Sequence, residues 1–154
     1  MNNQKDDQVK QALELLTLHE RVIGNLYEVY AHSHNFDFWQ ELAREEAAHA
    51  HWITSLERGI AFGKIQISDS TKFDLKGLKA SIDQINKMLD DAKNHSEKQA
   101  LETAYALEKS ILEDKFLSIV SSTDPEVCRV LRELERETKV HREALEDELR
   151  TIKA

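Results

Sequence analysis

The sequence predicts an all-α protein, a four-helix bundle in which one long crossover joins two helical hairpins. Only one proline and four glycines interrupt 154 residues, and so few chain breakers disfavour a β-sandwich or a barrel. Apolar residues recur at the three-and-four spacing of one helical face in four long segments. Roughly 35 residues separate the second segment from the third, a length that fits a crossover and not a short loop.

The first hairpin is predicted from two amphipathic stripes and the break between them. Helix one spans about residues 7 to 32, and a polar break at 32–35 ends it. Asp37 and Gln40 form a capping box that opens helix two, which continues to about residue 59 or 62. The inward stripe of helix one consists of Val9, Leu13, Leu16, Ile23, Tyr27 and Tyr30. That of helix two consists of Phe38 or Trp39, Leu42, Ile53 and Leu56.

The crossover and the third long helix follow from the same signals. Residues 63–73 predict a loop, and a narrow apolar stripe over 75–89 predicts a short extra helix that lies across the bundle. A capping box of Ser96 and Gln99 opens the third long helix, which is expected over about 97–121.

The last helix begins at the single proline. Asp124 and Pro125 form an N-cap and first-turn pair, and the apolar stripe then continues nearly to the terminus. Since the stripes of all four long helices can face one core, residues 1–154 are interpreted as a single domain. The inward residues of helices three and four are Leu101, Ala104, Ile111 or Leu112, Ile119, Val127, Leu131, Leu134, Leu145, Leu149 and Ile152.

Charge and cysteine content argue against several function classes. There are 29 acidic and 21 basic residues, and the formal net charge of −8 disfavours nucleic acids and anionic membranes as partners. The single cysteine, Cys128, allows no internal disulfide and no paired-cysteine zinc module. No apolar run approaches the roughly 20 residues of a membrane span, and the polar first residues do not resemble a signal peptide. We therefore expect a cytoplasmic location.

Acidic residues interrupt the apolar stripe of every long helix, and in two helices a histidine follows within about one turn. Residues 41–49 align with residues 133–141 at a constant offset of 92, so the second helices of the two hairpins are related. The acids fall at one level of the bundle, because they lie symmetrically about the predicted turns. Glu113, the nearest rival acid on helix three, is rotated off its stripe. The interrupting residues are Glu20, Glu46 with His49, Glu108, and Glu137 with His141.

This pattern predicts a buried metal centre. A carboxylate buried alone costs several kcal/mol or takes up a proton, so four that face one core need positive charge. No lysine or arginine lies near them on the stripes. Two divalent ions would balance the four carboxylates, and donors of this kind suit iron or manganese better than a structural zinc. A solvated charge pattern without function is the alternative.

Three segments resemble the rubrerythrin and ferritin-like di-iron carboxylate family, and the resemblance covers nearly the whole chain. The segments are residues 20–31, 45–50 and 106–110. Rubrerythrins close their site with a Glu-x-x-x-His motif on the last helix, and Glu137 and His141 have that spacing. The resemblance implies a ferritin-like bundle that binds two iron ions, with manganese as the alternative metal.

The same resemblance assigns a role to each candidate residue. Two carboxylates would each belong mainly to one metal, two would bridge the pair, and two imidazoles would be terminal ligands. Tyr27, the candidate catalytic residue, resembles a family tyrosine that hydrogen-bonds to a ligand carboxylate, with an ordinary core tyrosine as the alternative. The one-metal carboxylates are Glu20 and Glu108, the bridges are Glu46 and Glu137, and the nitrogen ligands are His49 and His141.

The expected function is that of a di-iron oxidoreductase in which ferrous iron reacts with peroxide or dioxygen. Two departures from the rubrerythrin pattern limit this expectation. Tyr105 stands where rubrerythrins have a further glutamate, and one cysteine cannot build their rubredoxin module, so an unknown electron-donor protein is expected as a partner. The alternatives are a non-catalytic iron- or manganese-binding protein and a helical interaction module without metal.

Three minor features complete the sequence-based predictions. Cys128 is interpreted as a packed cysteine, with a reactive thiol as the alternative. A second apolar face on the first hairpin favours a homodimer, and its residues are Leu15, Val22, Val29 and Trp52. Five histidines are interpreted as surface or loop residues: His19, His32, His34, His51 and His95.

Overall fold

A computed structural model describes residues 3–68, 74–109 and 120–153, with the side chains of 3–6 and 153 left out. Five α-helices account for most of these residues, which confirms the all-α class. The elements in chain order are α1 (Asn3–Ser33), α2 (Phe36–Ala61), β1 (Gln66–Ile67), α3 (Leu75–Leu89), a 3₁₀ turn (Ala92–Asn94), α4 (Glu97–Glu108), β2 (Val120–Ser121) and α5 (Pro125–Lys153).

Side-chain caps set the starts of the helices, and one of the predicted caps was wrong. The capping box of Ser96 and Gln99 at α4 is confirmed, with both reciprocal hydrogen bonds present. Asp124 caps α5 as predicted, since its Oδ1 accepts from the second and third backbone amides of the helix. At α2, however, the cap is Asn35, whose Oδ1 accepts from the Phe38 amide at 3.3 Å. Asp37 instead lies in the first turn, where a negative charge favours the helix dipole.

The connections contain two short strands that the sequence analysis did not predict. β1 and β2 pair antiparallel, with Gln66 opposite Ser121 and Ile67 opposite Val120. The third long helix was predicted to reach residue 121, but 120–121 form a strand, so that limit was wrong. Two-residue strands are too short to leave an alternating pattern in the sequence. The predicted inward residues Ile111, Leu112 and Ile119 and the rival acid Glu113 lie outside the described residues.

The helices form two associated pairs. α1 and α2 pack along each other as a hairpin, α3 lies against α1 as a short helix within the crossover, and α4 packs against α5. α5 also contacts α2 and so joins the two pairs. Among the described helices, none is long and apolar enough to cross a membrane.

Two apolar clusters form the core, one towards each end of the long helices. The first surrounds Tyr27 and Trp39 and includes Leu145 from the C-terminal half of α5. The second surrounds Leu13 and includes Leu134 from the N-terminal half of α5. Each of α1, α2 and α5 contributes to both clusters, so the polar residues between the two contributions lie in the middle of the core.

The second apolar face that favoured a homodimer is already used within the chain. Val22 is buried in the first cluster, and Leu15, Val29 and Trp52 are half-buried against the two clusters. α3 packs against α1 and widens the buried stripe of that helix. The homodimer stays a prediction.

Candidate metal centre

Five of the six predicted ligands lie together between the two apolar clusters, and all five are buried. Glu46, His49 and His141 are each 1% exposed, Glu20 is 3% exposed and Glu108 is 7% exposed. They come from α1, α2, α4 and α5, which agrees with the prediction that acids on different helices meet at one level. A polar cluster this deep in an apolar core is unfavourable unless its charges are balanced.

Glu46 occupies the middle of the cluster and faces both imidazoles. Its Oε2 is 3.7 Å from Nδ1 of His49, and its Oε1 is 3.3 Å from Nδ1 of His141. The two rings stack with centroids 4.9 Å apart and an interplanar angle of 23°. One oxygen of Glu46 thus faces His49 and the other faces His141, which is how a carboxylate that bridges two metal ions is arranged.

A second carboxylate approaches each imidazole from another helix. Glu20 Oε2 lies 3.8 Å from Nδ1 of His49, and Glu108 Oε1 lies 3.9 Å from Nδ1 of His141. Cations bind such donors at about 2.0 to 2.2 Å, so two donors of one cation lie about 3 to 4.4 Å apart. Each of these oxygen–nitrogen separations lies in that range, so we group the carboxylates by the imidazole that they face. We call these the His49 set (Glu20, Glu46, His49) and the His141 set (Glu46, Glu108, His141).

The surroundings of Glu46 favour the ionised form of its carboxyl group. Burial acting alone would raise its pKa, but the Glu20 carboxyl and the imidazoles of His141 and His49 hold the pKa well below its usual range. Among the described residues, no group forms a hydrogen bond of normal geometry with either oxygen of Glu46. A buried carboxylate left in this state is costly, and a cation between it and the imidazoles would satisfy it.

Tyr27 makes the contact that the sequence analysis predicted. Its fully buried hydroxyl donates a hydrogen bond to Glu108 Oε1 at 2.9 Å. Burial, reinforced by the negative charges of Glu108 and Glu46, raises the pKa of Tyr27 well above 10. The phenol therefore stays protonated and orients the Glu108 carboxylate, while its ring packs against Trp39 with centroids 5.5 Å apart.

Glu137, the sixth predicted ligand, does not join the other acids. It is 20% exposed, its Oε1 accepts a hydrogen bond from Arg136, and its Oε2 lies 3.8 Å from Nε2 of His141. The neighbouring Thr138 is buried instead and donates to the carbonyl of Leu134 at 2.9 Å. In an α-helix each residue is rotated by about 100° from the last, so the helix that buries Thr138 turns Glu137 to the edge.

Glu45 was missed by the sequence analysis. It is half-buried on α2, and its Oε2 directly contacts Nε2 of His141. The described residues contain two groups of possible ligands, one of Glu46, His49 and His141, and one of Glu45, Glu137 and His141. The signal for Glu45 was the internal repeat, since Glu45 aligns with Glu137 at the offset of 92.

Of the histidines interpreted as surface or loop residues, one was placed wrongly. His19 is 4% exposed, with its Nε2 2.8 Å from Ser81 Oγ of α3, and burial lowers its pKa. The loop residue His95 meets the hydroxyl of Tyr30 through Nδ1 at 2.8 Å. Cys128 is half-buried and its Sγ donates to the Ser122 carbonyl at 3.0 Å, as a packed cysteine would.

Comparison of the chain with protein-family models, with curated proteins and with solved structures found no match. The candidate centre is therefore interpreted from its own geometry and chemistry.

Proposed function

We propose that the protein binds two divalent metal ions in its core, one in the His49 set and one in the His141 set, and functions as a ferritin-like di-iron oxidoreductase. The observation that carries the proposal is Glu46: a buried carboxylate whose two oxygens face two different imidazoles. The resemblance of three sequence segments to rubrerythrins supports iron as the metal and oxidation–reduction as the reaction class.

The charge of the interior supports divalent cations. Three buried carboxylates, Glu20, Glu46 and Glu108, carry three negative charges when ionised, and the imidazoles are neutral as ligands. Two divalent cations would leave about one positive charge, which favours a further anionic oxygen ligand. Mixed carboxylate and imidazole donors suit iron and manganese, and a set of three protein donors leaves coordination positions open for a substrate.

The residues of the chain would supply binding, orientation and exclusion of water. Bound ferrous iron would supply the electrons that reduce peroxide or dioxygen, and an external electron-donor protein would return them. Tyr27 fixes Glu108 through a hydroxyl that stays protonated. The two apolar clusters on either side of the centre keep bulk water away and so strengthen its electrostatic interactions.

Metal analysis followed by anaerobic oxidation tests the proposal. Protein purified without added metal should contain iron or manganese, or should take up two equivalents of ferrous iron without oxygen. Adding peroxide or air should then produce the near-ultraviolet absorption of ferric iron faster than free ferrous iron does. Glu46→Gln should no longer take up two equivalents and should lose the accelerated absorption, whereas Glu41→Gln, an exposed acid on the same helix, should keep both.

The outcomes also separate the remaining candidate functions. Tight binding of two cations without accelerated oxidation would overturn the oxidoreductase proposal and favour a non-catalytic metal-binding protein. Absence of metal binding at Glu46 would overturn both and leave the helical interaction module.

A further inference from the structure

His141 faces carboxylates through both of its ring nitrogens. Nδ1 is directed to the buried centre, 3.3 Å from Glu46 Oε1. Nε2 is directed to the other side of the ring, where it contacts Glu45 Oε2 and lies 3.8 Å from Glu137 Oε2. Glu45 is 32% exposed and Glu137 is 20% exposed, so this second group lies between the buried centre and solvent.

Two observations distinguish this group from a chance meeting of acids. His141 is 1% exposed, and within the described residues neither of its nitrogens forms a hydrogen bond of normal geometry. Arg136 binds Oε1 of Glu137 and leaves Oε2 directed towards Nε2. A buried imidazole is thus aimed between two carboxylate oxygens from different helices, which is a three-donor arrangement for one divalent cation.

From this geometry we propose that Glu45, Glu137 and Nε2 of His141 form an outer metal site, which divalent cations occupy before they enter the buried centre. It deepens the proposed function because it assigns a route for the cations of that centre. The donors are two carboxylates and one imidazole, so the site takes ferrous iron, manganese or a cation of similar preference.

The outer site and the His141 set compete for one imidazole. A neutral imidazole has one nitrogen lone pair for a metal, because its other nitrogen carries a proton. A cation on Nε2 therefore takes His141 away from the buried set, and a cation on Nδ1 releases Nε2. The outer site should be filled transiently while the buried centre loads, and should hold a cation at equilibrium only when the buried centre cannot.

Equilibrium binding of Co²⁺ under anaerobic conditions tests the site, with titration calorimetry and cobalt absorption as readouts. Wild type should bind two cations. Glu46→Gln should keep one, held by the outer site. Adding Glu45→Gln to that variant should weaken the remaining binding at least about tenfold, the scale of losses at metal sites. Adding Glu41→Gln instead should leave it unchanged, since Glu41 is exposed and has the same charge.

The route is tested by rates in the intact centre. Glu45→Gln alone should still bind two Co²⁺ ions, but the buried centre should fill about tenfold more slowly in stopped-flow absorption. Filling at the wild-type rate would overturn the route. Retention of the cation in the Glu45→Gln, Glu46→Gln double variant would overturn the site.

The proposed function can fail separately from the outer site. If wild type bound one cation, Glu46→Gln bound the same one and Glu45→Gln removed it, the outer site would stand and the buried centre would fall.

Discussion

Replacing Glu46 by glutamine should remove most of the stabilisation that divalent cations give to the fold. Glu46 is the carboxylate that both donor sets share, with one oxygen towards His49 and the other towards His141. Glutamine keeps the shape of the side chain but offers one neutral oxygen, so both sets lose their common anionic donor. Glu20→Gln, by contrast, changes the His49 set alone, because Glu20 approaches His49 at 3.8 Å.

The size of the effect follows from mass action. A cation present at 100 times its dissociation constant stabilises the folded state by about 2.7 kcal/mol. A chain of 154 residues has an unfolding entropy near Tm of about 0.32 kcal/mol/K. Each cation should therefore raise Tm by about 8 °C, and two by about 17 °C. We expect the cation to raise Tm by about 17 °C in wild type and by about 8 °C in Glu20→Gln. In Glu46→Gln the rise should be about 1 °C, which is what a half-occupied outer site gives.

Scanning calorimetry of metal-free protein, with and without Mn²⁺, measures these shifts. Glu41→Gln is the matched control, because Glu41 is exposed on α2 one turn before Glu45 and the substitution removes the same charge. It should show the full wild-type shift. A full shift in Glu46→Gln would mean that the stabilising cations bind elsewhere, and would refute the assignment of Glu46 as the shared ligand.

Three further variants test the fold around the centre. Ser96→Ala removes the capping box of α4 and should lower the free energy of unfolding by about 1 kcal/mol in denaturant titrations; an unchanged midpoint would mean that the cap contributes nothing. Gly24→Ala should raise the free energy of unfolding by about 0.5 to 1 kcal/mol, because alanine favours the helix and its Cβ would meet Glu46 Cβ at an ordinary 3.5 Å. A lower free energy of unfolding would show that α1 and α2 pack too closely for the added methyl group. Burial raises the pKa of Tyr30 to about 12, so its stabilising contribution is complete below pH 10 and is lost as the pH rises through 12. Between pH 10 and 12 wild type should therefore lose up to about 2 kcal/mol more than Tyr30→Phe, and parallel stability curves would contradict this.

The helices were predictable because their limits depend on local chemistry. Ser96 and Asp124 bind backbone amides within three residues of themselves, so their effect is written in adjacent sequence. The break after α1 was also predicted, but Asn35 within it and Asp37 just after it are both residue types that cap helices. Asn35 was not distinguished from Asp37 because the choice depends on where α1 releases the chain, and spacing alone does not encode that point.

Burial of the candidate ligands was predictable for the same reason, whereas the atoms that they contact were not. Glu20, Glu46 and Glu108 interrupt apolar stripes, and a stripe fixes which side of a helix faces the core. Which oxygen meets which nitrogen depends on the rotation of one helix against another. The contact of Glu45 with His141 joins α2 to α5 and has no local signal. The burial of His19 likewise depends on α3, which reaches α1 from far along the chain.

The repeat between α2 and α5 accounts for the asymmetry of the centre. Glu46 of α2 aligns with Thr138 of α5, and both positions are buried. A glutamate at each would place two shared carboxylates in the interior, but the threonine hydroxyl donates to the carbonyl of Leu134 instead. One carboxylate must then serve both donor sets. The acid that α5 does supply, Glu137, is left at the half-exposed side of His141, where it faces Nε2. The shared position of Glu46 and the proposed outer site would thus have one origin, the difference between glutamate and threonine at equivalent positions of the repeat.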